Sequence, residues 1–368
     1  EESPRDIATV GLPEMRRAGV GLIFATLFVS PSSAPFEREP NEHTYDTPEQ
    51  AHRLAMAQVD YYRRLVDEDE TLRLVTNLAG LDEVTQSHAT GEKPLLGIVL
   101  LMEGADCIRE PKEAEFWYEQ GVRLIGPAWD DTRYCAGAWR DSKQGLSKEG
   151  YALLEEMAGL GMILDLTHMS EVATLQSLDA YPGTIVATHA NARAIVPHER
   201  QLSDRQIRLI GERDGMVGAV LANFFLKPDY VRGQKESVPV AQVAAHIDHV
   251  CQVIGDARHA GLGTDLDGGF GLRDIPDPMD SIADLPLIGD ALREKGYTDG
   301  EVAGIMGENW VGLLRRAWGE SPRQGSIIED AWPAPTTPGS YTAVNIQSFD
   351  ARYSDFSTTE IVYKETDE

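Results

Sequence analysis

Cysteine is scarce in this chain: Cys107, Cys135 and Cys251 are the three in 368 residues, and no CxxC spacing links them. Neither a disulfide framework nor a cysteine zinc site is indicated, and a reducing compartment is the simpler reading. Basic residues are also few. Lys and Arg number 33 against 60 Asp and Glu, a formal charge of -27. Binding DNA or RNA needs clustered cationic side chains, so no nucleic-acid partner is expected. The acidity favours solubility and attracts cations. No run approaches the roughly 18 apolar residues of a membrane span, so no membrane association is expected. GxGxxG, a Walker lysine and a GxSxG elbow are all missing, which argues against nucleotide loops and serine hydrolases. No secretion signal is read near Glu1 and a cytoplasmic location is the expectation, although the chain does not begin with Met and export stays open.

What is present is an alternation. Short β-branched apolar runs at 20–29, 96–102, 122–128, 162–167, 184–188, 216–221 and 260–264 read as strands. Most are apolar nearly throughout, as parallel strands covered on both faces must be. Amphipathic stretches at 48–67, 147–160, 203–213, 240–254 and 298–318 read as helices between or after them. Such alternation predicts an α/β fold, a (β/α)₈ TIM-type barrel. The runs number seven where a closed barrel needs eight. Residues 72–76 are either the eighth strand or one outside the barrel; alternatively, the first strand lies upstream of Glu1. Residues 1–319 are expected to form the barrel. Residues 320–368 begin with a Pro-rich linker and carry short strand patterns at 341–347 and 358–364, read as a C-terminal extension packing on the barrel.

Polar residues collect where these runs end. Glu103 follows Gly97-Ile98-Val99-Leu100-Leu101-Met102, His168 follows Leu164-Asp165-Leu166-Thr167, His189 follows Ile185-Val186-Ala187-Thr188, and Asp265 follows Gly261-Leu262-Gly263-Thr264. In a barrel all these ends face one mouth, where active sites of the fold sit. Taken singly, each has a plain explanation: a packing histidine, a solvated loop carboxylate, a helix cap. Together they are two imidazoles and two carboxylates converging from four strands, a donor set suited to zinc. His246 and His249 share one predicted helix at i, i+3 spacing and read as a polar helix face rather than as ligands.

These motifs, in this order and spacing, resemble the membrane (renal) dipeptidases. Met102-Glu103-Gly104, Leu164 to Ser170, Ala187-Thr188-His189-Ala190-Asn191 and Gly261 to Gly268 carry the resemblance, which extends from about Val10 to Trp318. It implies a hydrolase with two zinc ions that cleaves the amide bond of dipeptides with a metal-bound hydroxide, and a possible homodimer. Glu103 would bridge the metals, and His168 and His189 would bind the second. Asp265 would stand by the water and shuttle its proton, and Arg200 would grip the substrate carboxylate. The alternatives are an amidohydrolase for another small amide or lactam, or a non-catalytic binding protein that has lost its first metal site.

The chain departs from the family pattern twice. The family's His-x-Asp at the end of its first strand is not found near Glu1, and its place is expected upstream. Trp129 stands where the family has a substrate-binding histidine, and an indole can stack on a substrate but cannot accept a proton. Trp129 is therefore read as a substrate-binding residue. Asp130, Arg133 and Tyr134 either rebuild the pocket beside it or pair within the loop.

Overall fold

In the computed structural model, which describes residues 7–34, 44–91, 93–140, 143–319 and the backbone of 342–346, the apolar runs join into one parallel sheet. Its strands are β1 (Val20–Phe28), β2 (Leu72–Leu74), β3 (Leu96–Glu103), β4 (Val122–Gly126), β5 (Ile163–Asp165), β6 (Ile185–Ala187), β7 (Met216–Ala219), β8 (Ala260–Leu262) and β9 (Thr342–Ile346). From β3 to β8 each strand pairs with the next, as successive βα units do. The intervening helices include α1 (Pro48–Glu68), α2 (Lys148–Gly159), α3 (Asp204–Glu212) and α4 (Ala241–Ile254). Thr47, Ser147 and Ser203 cap the first three, each accepting a backbone N–H three residues on. All seven expected barrel strands are present, on the α/β barrel that the alternation predicts.

Of the two places expected for residues 72–76, the structure shows the one outside the barrel. β2 pairs only with the start of β3, at Leu72↔Leu96 through Leu74↔Ile98, while β4 takes the same side of β3 from Leu100 onward. It therefore lies off the barrel path. β9 instead runs parallel to β1, from Val20↔Thr342 to Ala25↔Ile346, and contacts β8. The second tail strand, at 358–364, lies outside the described residues. Without β9, the outer edge of β1 loses its hydrogen-bonding partner. A chain ending at Gly319 is expected to melt several degrees lower and to scatter more light on heating; an unchanged melt would show that β9 adds nothing to the sheet.

Strand parity builds the site. On β3, Ile98, Leu100 and Met102 belong to the larger apolar cluster, which packs against the helices. Val99 and Leu101 face the other way, into a second cluster with Leu22, Phe24, Leu124, Ile163, Val186 and Met216. This second cluster draws on every strand from β3 to β7 and is the barrel interior. Trp310 joins it, bonding through Nε1 to Leu262 O at 3.0 Å. Continuing the parity, the interior face of β3 ends on Glu103, that of β5 on Asp165, and that of β6 reaches Thr188. The apolar column is thus topped by polar groups at the C-terminal mouth.

Candidate metal centre

Glu103, His168 and His189 meet at that mouth. Their ligand atoms all lie within 4.8 Å of one another, and no other such trio of His, Cys, Asp or Glu occurs among the described residues. His168 Nε2 is 2.9 Å and His189 Nε2 3.6 Å from Glu103 Oε1, and the two nitrogens are 3.1 Å apart. Exposure is 2% for Glu103, 5% for His168, 0% for His189, 3% for Arg200 and 6% for Asp265. Five ionisable groups this deeply buried require mutual compensation or a bound ion. Burial alone would raise the Glu103 pKa, but His189 and His168 outweigh it and hold the carboxyl well below its usual range. Burial and then the Arg200 guanidinium push His168 down to about 3. Burial would lower His189 too, yet Asp265 and Glu103 leave it raised.

A hydrogen-bond chain fixes His189. Asp165 accepts from the backbone of Thr167 at 3.0 Å and of Thr188 at 2.9 Å, and from Thr188 Oγ1 at 2.5 Å. The single Thr188 hydroxyl proton is committed to that carboxylate, so the oxygen can only accept from His189 Nδ1, 2.9 Å away. Nδ1 then carries a proton, and Nε2 is the nitrogen turned toward Glu103 and His168. A carboxylate fixing an imidazole tautomer through an intermediary is how metal-binding histidines are held. Gly263 completes the support: a Cβ there would stand 1.7 Å from Thr188 O and 3.0 Å from His189 Cα, so β8 can lie this close only with glycine.

The other sequence candidates surround this trio. Arg200 Nε donates to His168 Nδ1 at 3.1 Å and Nη2 to His189 O at 2.8 Å, while the buried Nη1 has no hydrogen-bond partner among the described residues. Asp265 Oδ1 is likewise buried without one. Burial raises the Asp265 pKa to about 7, with His189 acting against the shift and Glu103 adding to it. His168 and Asp265 hold φ of +68° and +54°, a left-handed conformation that costs non-glycine residues on the order of 1 kcal/mol or more. Trp129 lies beside His168, ring centroids 6.3 Å apart, and packs edge-on against Phe28 at 4.9 Å. The donor set suits a divalent cation: two imidazole nitrogens and one carboxylate oxygen on a common centre, with a second carboxylate oxygen and a guanidinium nitrogen buried nearby and unsatisfied.

Some expectations need correction. His246 is not on a polar face: it is fully buried, Nδ1 accepts from Ala192 N at 3.1 Å, and Nε2 bonds Leu226 O at 3.2 Å. Its partner in the spacing, His249, pairs with Asp204 at 2.7 Å. Asp130, Arg133 and Tyr134 serve the loops: Asp130 is gripped by Arg140 at 2.5 and 2.7 Å, Arg133 N reaches Asp106, and Tyr134 Oη donates to Ile108 O. Residues passed over in the sequence include Asp165, whose signal was a lone carboxylate inside an apolar strand. Trp139, Phe225 and His198, ringed around the mouth, gave no pattern at all.

The comparisons with known proteins follow the same lines. A sequence profile described as "Membrane dipeptidase (Peptidase family M19)" matches residues 4–321. The crystal structure of a dipeptidase AC, a metallopeptidase of family M19, superposes with a TM-score of 0.73 at 30% identity, covering 85% of this chain and 90% of that one. A metallopeptidase from Rhodobacter sphaeroides, solved with a phosphinate mimic of the dipeptide L-Ala-D-Ala, gives 0.72 at 28% identity, covering 85% and 91%. An uncharacterised protein in the pqqA 5' region of Klebsiella pneumoniae is 32% identical over 236 residues, 62% of this chain and 84% of that protein. Dipeptidase 3 of Mus musculus is 27% identical over 287 residues, 75% of this chain and 53% of that protein. Because the family match spans most of its length, and the residues that carry the resemblance are the ones the fold brings together, this protein belongs to the membrane dipeptidase family, the M19 metallopeptidases.

Proposed function

We propose that this chain hydrolyses dipeptides with zinc held by Glu103, His168 and His189, and that Glu103, with its two oxygens, is shared with a second ion. The observation that carries this reading is the buried Glu–His–His convergence in a chain of this family. A bound divalent cation supplies the Lewis acidity that polarises an amide carbonyl and acidifies water. The remaining work falls to the chain. Asp265 takes a proton at its buried Oδ1 and returns it to the departing amine, a task its raised pKa suits near neutrality. His168 can offer a lone pair at Nε2 only with its proton on Nδ1, where Arg200 Nε now donates. In a site holding a cation, His168 Nδ1 would carry that proton and Arg200 Nε would lose its acceptor, leaving the guanidinium fork available to a substrate carboxylate. Trp129 offers an indole face to the substrate at the site's edge.

The test is elemental analysis of protein purified without chelator, alongside a dipeptide panel. Bound zinc, with activity lost on chelation and restored by zinc, is expected. No bound metal after zinc is supplied, with no dipeptide cleaved, sinks the reading. For Arg200→Lys, which keeps the charge and loses the fork, KM for dipeptides is expected to rise about tenfold or more. Dipeptide amides, which lack the carboxylate, should show much less of that change; an equal rise for both would remove Arg200 from the carboxylate.

A further inference from the structure

We infer that Trp139, Phe225 and His198 form one wall of the substrate site and select dipeptides whose C-terminal side chain is aromatic or large and apolar. The inference rests on the dipeptidase reading and extends it to a substrate class. The three rings come from loops after three different strands, β4, β7 and β6, and converge at the mouth. Trp139 lies 5.9 Å from Phe225, 5.8 Å from His198 and 5.9 Å from the His168 ring, and His198 lies 5.8 Å from Phe225, all between centroids. Phe225 is buried, Trp139 half-buried and His198 exposed, so the wall runs from the metal-centre histidine out to solvent.

The wall is held rigid. Arg140, the residue after Trp139, grips buried Asp130, the residue after Trp129, through two bonds of 2.7 and 2.5 Å. The bidentate pair cross-links the one loop after β4, residues 127–147, whose two indoles, Trp129 and Trp139, both neighbour the His168 ring. Ala138 N donates to His168 O at 2.7 Å, fixing the Trp139 turn to the histidine's own backbone. The Phe225 carbonyl accepts from Asn191 Nδ2 at 3.2 Å and Gln201 Nε2 at 3.1 Å, which anchors it to the loop bearing His189 and Arg200. Rings fixed in this way cost little entropy when a planar group stacks on them.

Its location picks the substrate residue. The Arg200 guanidinium carbon sits 5.5 Å from the Phe225 ring centroid. A dipeptide whose terminal carboxylate is held by Arg200 carries its C-terminal side chain on the adjoining carbon, within reach of this wall. Charge decides its nature. Arg140 and Asp130 neutralise each other, and desolvation of the His198 imidazole by the rings it packs on, with the Arg200 guanidinium, holds it below its ordinary range, leaving the wall uncharged near neutral pH. A cationic side chain would meet Arg200, and an acidic one would give up water for aromatic faces.

The test measures kcat/KM of the zinc-supplied enzyme on Ala-Ala, Ala-Leu, Ala-Phe, Ala-Lys and Ala-Glu. Ala-Phe is expected to exceed Ala-Ala by about tenfold or more. Trp139→Ala should collapse that ratio toward one, chiefly through KM for Ala-Phe, while Trp139→Phe retains most of it. Tryptophan fluorescence should also be quenched at lower concentration by a phosphinate dipeptide mimic with a C-terminal benzyl group than by one with a methyl group. Cleavage with no preference, a preference for Ala-Lys or Ala-Glu, or a ratio unmoved by Trp139→Ala overturns the inference and leaves the dipeptidase reading intact. Failure to cleave any of the five overturns that reading and this inference with it.

Discussion

Glu103→Gln is expected to strip the protein of its metal and to lower kcat/KM for dipeptides by roughly a thousandfold or more. The substitution preserves shape and removes one negative charge from the point where both imidazole nitrogens converge, 2.9 and 3.6 Å away. A neutral amide oxygen is a poorer ligand for a hard-to-intermediate cation than a carboxylate. The metal-free proteins should differ as well. His189 and His168 hold the Glu103 pKa well below its unfolded value, so its ionised form favours folding at neutral pH, and that contribution fades as pH falls through the depressed value. Metal-free Glu103→Gln should thus melt below metal-free wild type near pH 7 and approach it in strong acid. Full metal content in the variant, measured per chain by elemental analysis, would remove Glu103 from the centre.

The reason Glu103 was legible in the sequence is the same as the reason it is costly. A carboxylate directly after a run of apolar residues and glycine has no water to rely on, so its presence signals a partner. His168, His189 and Asp265 were found by the same logic, and the left-handed backbone at His168 and Asp265 shows that the chain tolerates strain to aim them. The strands were legible because parallel strands buried on both faces cannot alternate with polar residues. The pairing of the tail strand was not. β9 pairs with β1 across more than 300 residues of chain, and nothing local in 342–346 distinguishes a barrel strand from a docked one. His246 was misplaced because helical spacing says which residues share a face but not whether that face turns inward. The Trp139, Phe225 and His198 wall was invisible for a related reason: its members stand on three loops, and only the barrel brings those loops together.

Asp265→Asn is expected to retain metal and change KM little, while kcat falls by about 10² to 10⁴. The amide fills the same space but can neither take a proton from water nor return one to the amine. Its effect on stability should run opposite to that of Glu103→Gln. Burial raises the Asp265 pKa to about 7, far above the unfolded value near 3.8. For a carboxyl shifted upward, the protonated form favours folding, so its contribution is complete below the unfolded pKa and is lost as pH climbs through the folded one. Between about pH 4 and pH 7 metal-free wild type should therefore lose stability that metal-free Asp265→Asn keeps, on the order of 4 kcal/mol at most. Above pH 7 the inactive variant should be the more stable of the two without metal, and zinc should narrow the gap by giving the buried carboxylate of the wild type a cation to face. Thermal melts of both proteins from pH 4 to pH 8, with chelator and with zinc, read this directly. Equal melting temperatures across that range without metal would mean that Asp265 is not held in a low-dielectric site, and its assignment as the proton carrier would fall with that result. A variant that gains stability as it loses turnover would instead identify a group kept in an unfavourable state because the reaction needs it there.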